Sequence, residues 1–211
     1  MATNQRLFAI YGQGEAEQRS LDVVRTAVQA VEKAGIPYLL IGGLASALVG
    51  RPRYTKDADL FVRPEDAHRT LQALAGAGFT TEQTDEEWLY KGFRDGHLVD
   101  VIFKLSGDLY LDEEMLARAR IEDLKGCTAR VISPEDLLVA KAFAFKEVTP
   151  RHWFDALALL AAHELDWTYV LKRSRHGVRR LLSLLIYAQS ADIQVPSAVI
   201  RQIYKQVYED E

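Results

Sequence analysis

Cysteine occurs once in the 211 residues, at Cys127, which excludes an intramolecular disulfide and a cysteine zinc centre. No uninterrupted apolar run approaches the roughly 20 residues a membrane-spanning helix needs. The apolar patch near the amino terminus, Leu7 to Ile10, is too short for a secretory signal or an anchor. Positive charge is not in excess either: 26 Lys and Arg face 30 Asp and Glu, a formal charge of −4, so any binding of nucleic acid would have to be local. The five histidines (His68, His97, His152, His163 and His176) follow no metal-ligand spacing, and the order of residues supports no Ser-His-Asp or Cys-His arrangement. Internal repeats and low-complexity tracts are missing too. These absences lead us to expect a soluble, cytoplasmic, globular protein with no membrane partner.

The composition, 48% hydrophobic and 27% charged, suffices for a proper core. The chain is organised around Tyr38 to Val62, YLLIGGLASALVGRPRYTKDADLFV. An apolar run ends in Gly42-Gly43, an Ala-rich helical segment follows, and a charged connection delivers Asp57-Ala58-Asp59 inside a second apolar run. Strand alternation predicts Asp57, Asp59 and Phe61 on one face, with the two carboxylates about 7 Å apart at their Cα atoms. Such a pair can bracket a divalent cation. Glycines at 42 and 43 permit positive φ and close approach of a phosphate, and the helix behind them points N–H groups and its positive dipole end toward that phosphate.

Gly-Gly, a 13-residue spacer and Asp-x-Asp among apolar residues resemble the signature of the DNA polymerase beta-type nucleotidyltransferase superfamily. That family carries a third carboxylate on a later strand, and the resemblance directs attention to Asp100 in His97-Leu-Val-Asp100-Val-Ile-Phe103. Arg94-Asp95-Gly96 before it is a hairpin signal that would set Asp100 beside the first two acids. By this resemblance Asp57 and Asp59 ligate Mg²⁺ or Mn²⁺, and Asp100 completes the metal site and helps activate an incoming hydroxyl. Gly42, Gly43 and Ser46 would cradle the phosphates of a nucleoside triphosphate. Here Gly43 replaces the commoner serine of the family turn, so backbone N–H groups or Ser46 would stand in for its hydroxyl. Arg51, Arg53, Thr55 and Lys56 precede the acids, as triphosphate contacts or as an exposed basic loop.

Around that core, periodicity predicts a helix from Ser20 to Gly35, a helix begun at Pro64, strands over 79–84, 88–93, 97–103 and 129–133, and a short helix over 112–120. Residues 1–17 carry little pattern, with a loose turn at Gly12 and Gly14. From Ser133-Pro134-Glu135-Asp136 onward only helices are expected, at about 134–147, 150–163, 166–175, 177–190 and 196–208. The expectation is therefore an α/β (α+β) nucleotidyltransferase core with a mixed β-sheet over 1–132, and an all-helical region over 133–211 packed on it. The segment PEDLLVAKAFAFKEVTPRHWFDALALL resembles the helical region of toxin-type nucleotidyltransferases from abortive-infection and toxin–antitoxin systems, which implies Lys141 and Asp155 at the nucleotide site. The run from Lys172 to Arg180 is the densest basic stretch, able to meet RNA phosphates or a triphosphate tail, or serving only solubility.

The function expected is transfer of a nucleoside monophosphate from an NTP to an acceptor: an RNA end, a small molecule or a protein hydroxyl. Two alternatives of other classes are a noncatalytic module binding a nucleotide or a protein partner, and a metal-dependent glycosyltransferase, which also uses Asp-x-Asp. A toxin-type enzyme acting on transfer RNA is a subset of the first reading.

Overall fold

The computed structural model describes residues 14–209, so Gly12 of the loose turn lies outside the described residues. The chain divides into two compact units, residues 1–105 with 109–133, and residues 106–108 with 134–211.

The first unit is a mixed seven-stranded sheet with helices. Its strands are β1 (Tyr38–Ile41), β2 (Ala58–Val62), β3 (Thr80–Asp85), β4 (Leu89–Arg94), β5 (His97–Ile102), β6 (Arg120–Asp123) and β7 (Thr128–Val131), in the order β3-β4-β5-β2-β1-β7-β6. β2 runs parallel to β5 and antiparallel to β1, while β1 runs parallel to β7. The helices are α1 (Glu15–Lys33), α2 (Gly42–Val49), α3 (Ala67–Gly76) and the short α4 (Glu113–Ala117). α1 buries Leu21, Val24, Val28 and Val31, the helical stripe legible in the sequence, and starts five residues earlier than Ser20. A 3₁₀ turn at Pro64–Asp66 leads into α3.

Register fixes what each sheet face carries. Gly92 pairs with Val99, and a Cβ on Gly92 would lie 3.1 Å from Leu74 of α3. Helix α3, with α1 packed against it, therefore covers the face bearing Gly92, Val99 and Val101. The residues between these, Lys91 and Asp100, point to the other face. One expectation needs correction at the sheet edge. The predicted helix over 112–120 ends at Ala117, and Arg120–Asp123 forms edge strand β6 in a tight hairpin with β7. The mostly exposed Arg-Ile-Glu-Asp of β6 offers no apolar alternation to read.

Burial pushes the Tyr38 phenol well above its ordinary pKa, and its oxygen accepts the Arg130 N–H at 3.3 Å. Cys127 is a buried free thiol whose pKa is also raised by burial.

The second unit is helical: α5 (Pro134–Ala144), α6 (Arg151–Ala162), α7 (Trp167–Arg173), α8 (Val178–Ser190) and α9 (Ser197–Tyr208). Helix α5 is its hub, touching α6, α7 and α8, and is buried on nearly all sides, as its continuous apolar content requires. Two charges enter this core and are matched there. The Asp136 carboxylate accepts the Tyr169 hydroxyl at 3.0 Å and lies 3.1 Å from Arg173 Nε. Lys141 Nζ donates to Asp155 Oδ2 at 2.9 Å, with both side chains at 5% exposure or less. Among the described residues no helix is long and apolar enough to cross a membrane.

Removing one member of a buried pair strands the other charge, whereas replacing both with apolar groups does not. Asp155→Ala should cost about 3–5 kcal/mol in urea unfolding. The Lys141→Met/Asp155→Leu double variant should recover most of that loss; a double variant as unstable as the single one would refute the pairing.

Candidate functional site

Ile41, the last residue of β1, pairs with Asp59 of β2, and Asp59 in turn pairs with Asp100 of β5. Parallel register partners share a face, so the Asp59 and Asp100 side chains project side by side from strands about 4.8 Å apart. Because β1 ends opposite Asp59, the next residue, Gly42, turns directly over that carboxylate. Gly42 has φ +66°, and a Cβ on it would stand 1.9 Å from Asp59 Oδ2. The Gly43 N–H at the start of α2 donates to the same oxygen at 3.4 Å. An acid close to a helix N-terminus is favoured by the dipole, and here it is the partner strand that supplies it. Gly42 is thus required first by Asp59, before any phosphate.

The connection from α2 to β2 folds over Gly43. A Cβ there would lie 3.0 Å from Thr55 Oγ1 and 3.3 Å from Arg53 Nη2. Thr55 also donates to the Asp57 carbonyl at 3.2 Å. Arg53 and Thr55 therefore border the glycine turn, which the sequence left undecided. Asp57 departs from the strand reading: β2 begins at Ala58, and Asp57 stands exposed on the preceding connection.

Asp100 has a close neighbour that sequence reasoning missed. Lys91 is its register partner on β4, and Lys91 Nζ donates to Asp100 Oδ1 at 2.9 Å, with both side chains about one-fifth exposed. The pairing depends on the exact register of the Asp95-Gly96 hairpin, which a hairpin signal alone does not fix.

Other expected members behave differently. Ser46 is buried and its hydroxyl donates to the Gly42 carbonyl at 2.7 Å, so it braces the turn from within. Lys141 and Asp155 bind each other in the helical unit. Among the described residues, no group of three or more His, Cys, Asp or Glu side chains stands close enough together to hold a metal ion. The expected trio is in this structure a register-paired couple, Asp59 and Asp100, with Asp57 leading into it. Asp57 stands apart because β2 begins one residue after it, at Ala58. Neighbouring carboxylates repel, and here Gly43 N–H engages one while Lys91 engages the other.

The sheet order, the glycine turn and the carboxylates on adjacent strands define a nucleotidyltransferase fold. The sequence from residue 5 to 190 matches the family model described as "Uncharacterised nucleotidyltransferase", and the chain belongs to that family. No curated protein matches the sequence significantly. Among solved structures, an antigenic nucleotidyltransferase-like protein from Paracoccidioides brasiliensis is similar at TM-score 0.54 and 16% identity, over 87% of this chain and 93% of that one. The antibiotic-resistance factor ANT(2″)-Ia is similar at TM-score 0.52 and 16% identity, over 82% of this chain and 93% of that one. The lincosamide antibiotic adenylyltransferase LnuA, bound to lincomycin, is similar at TM-score 0.50 and 16% identity, over 67% of this chain and 97% of that one. At these identities the likeness concerns the fold.

The two glycines should differ sharply on substitution. Gly42→Ala places a Cβ in the Asp59 carboxylate at positive φ and should destabilise by about 2 kcal/mol or more. Gly43→Ser meets only movable side-chain ends and should cost less than about 1 kcal/mol. Equal losses in thermal unfolding would contradict the geometry.

Proposed function

We propose that the protein transfers a nucleoside monophosphate from an NTP to a hydroxyl of a small-molecule acceptor, with release of pyrophosphate. The single observation that carries the reading is the pairing of Asp59 with Asp100 beside the Gly42-Gly43 turn. Family membership makes the reaction class the first expectation, and one fold neighbour is named a lincosamide antibiotic adenylyltransferase and another an antibiotic-resistance factor, which motivates the choice of a small-molecule acceptor.

Asp57, Asp59 and Asp100 offer oxygen-only donors, the chemistry suited to Mg²⁺ or Mn²⁺. A divalent ion held there would neutralise triphosphate charge as the α-phosphorus is attacked. The chain's own groups take the other roles. The Gly43 N–H and the Arg53 guanidinium would grip phosphate oxygens, and Asp100 would accept the proton of the attacking hydroxyl. The new bond joins the acceptor oxygen to the α-phosphorus, the bond from that phosphorus to the bridging oxygen breaks, and pyrophosphate carries the electron pair away. Lys141, Asp155 and Ser46 support the scaffold in this account.

One observation favours a second reading. Lys91 already neutralises Asp100, an arrangement suited to a noncatalytic nucleotide-binding module. A single experiment separates the two. The protein is incubated with each α-³²P-labelled NTP, Mg²⁺ and pools of aminoglycosides, lincosamides, other polyols and RNA. Wild type should transfer label to a small molecule, and Asp100→Asn should transfer about a hundredth as much or less, while both keep the same unfolding midpoint. Label appearing equally with Asp100→Asn would remove that acid from the mechanism. Mg²⁺-dependent NTP binding without transfer to any acceptor would establish the noncatalytic reading.

A further inference from the structure

The basic run that the transferase reading leaves unused lines a cavity of its own. It measures about 460 Å³ and is built wholly by the helical unit, from the end of α5, the short Ser106-Gly107 segment and the turn leading into α8. Lys146, Arg175, His176, Arg179 and Arg180 all line it, and none of the described residues lining it is acidic.

The floor is tightly constructed. A Cβ on Gly107 would stand 2.5 Å from the Phe143 ring, and one on Gly177 would stand 2.2 Å from it. Two backbone segments are thereby drawn onto one aromatic ring, a closeness only glycine allows. Two of the cations are held in place. Arg180 Nη1 donates to the Phe143 and Phe145 carbonyls at 3.0 and 2.7 Å, capping the end of α5. The Arg179 guanidinium lies over the Tyr208 ring, 5.5 Å from its centroid. Lys146, Arg175 and His176 have no side-chain partner among the described residues.

The electrostatics run against what folding alone would select. The first turn of α8 carries Arg179 and Arg180 and no acid, although the positive end of the helix dipole disfavours cations there. Dipole, three arginines and a lysine reinforce one another around a concave space, and none of the described residues lining it carries the opposite sign. An anion would relieve that repulsion. Arginine forks match phosphate oxygens in geometry as well as charge. The space exceeds what one phosphate fills, so it can take a phosphoryl group together with part of the molecule that bears it.

We propose that this cavity binds the phosphoryl group of a phosphate monoester, borne either by a small metabolite-sized molecule or by the 5′ end of a nucleic acid. The assignment does not depend on the transferase reading, because every residue in it belongs to the helical unit and phosphate alone requires no divalent ion.

The test uses the full chain free of divalent metal, with inorganic phosphate as the first probe. Saturating phosphate should raise Tm by about 5 °C, and sodium chloride at equal ionic strength should not. The exposed double substitution Lys146→Ala/Arg175→Ala should weaken phosphate at least tenfold by calorimetry while leaving the ligand-free Tm unchanged. Asp59→Asn should bind phosphate as wild type does. Glucose 6-phosphate and a 5′-phosphorylated oligonucleotide, each measured against its unphosphorylated form, identify the source. At least one should bind tenfold more tightly than inorganic phosphate and lose that gain with the phosphate removed. Phosphate binding that persists in the double variant, disappears in Asp59→Asn, matches the chloride response, or gains nothing in either ester overturns the proposal.

Discussion

The site depends on a like-charge contact made tolerable. Parallel pairing of β2 with β5 sets Asp59 beside Asp100 on one face of the sheet, and two carboxylates that close repel each other. Each is answered by a positive group from a different neighbour: the Gly43 N–H at the helix end for Asp59, the Lys91 ammonium for Asp100. Three features of the first unit can be read from this constraint. β1 must stop opposite Asp59, the turn after it must lack a Cβ, and the β4–β5 hairpin must hold the register that brings Lys91 across from Asp100.

The same logic explains why the glycines are unequal. Gly42 is pinned by positive φ and by a carboxylate oxygen where its side chain would go, while Gly43 faces only the movable ends of Thr55 and Arg53. Ser46 closes the arrangement by bonding back to the Gly42 carbonyl. Its hydroxyl thereby holds the backbone of the glycine turn in place. The helical unit resolves its charges in the same way. Lys141 and Asp155 neutralise each other inside the core, as do Asp136 and Arg173, while the cavity at the start of α8 gathers Lys146, Arg175, Arg179 and Arg180 with no acid among the described residues that line it.

Much of this was legible in the residues. The sequence strand, glycine pair, helix, acidic strand has local causes, namely apolar runs, a turn that needs glycine and a two-residue alternation, and it reappears as β1, α2 and β2. The change to helices alone after Ser133 could also be read, since Pro134 and the acids behind it mark a helix start. Harder to see was anything set by register or by distant packing. Lys91 is one lysine among many until β4 and β5 pair. Asp57 is in phase with a strand that, in the fold, begins one residue later. Strand β6 is an exposed edge whose pattern carries no signal, and the burial of Lys141 beside Asp155 depends on how α5 and α6 pack.

The central claim is that Asp59, Asp100 and the glycine turn work as one site. The most direct measurement is a crystal structure with Mn²⁺ and a non-hydrolysable NTP analogue, in which anomalous scattering locates the metal. The account predicts a metal peak touching both the Asp59 and the Asp100 carboxylates, with the triphosphate lying against Gly42 and Gly43. A metal and triphosphate bound away from that pair, or a triphosphate seated with Lys91 still closed on Asp100 and no metal between the acids, would contradict it.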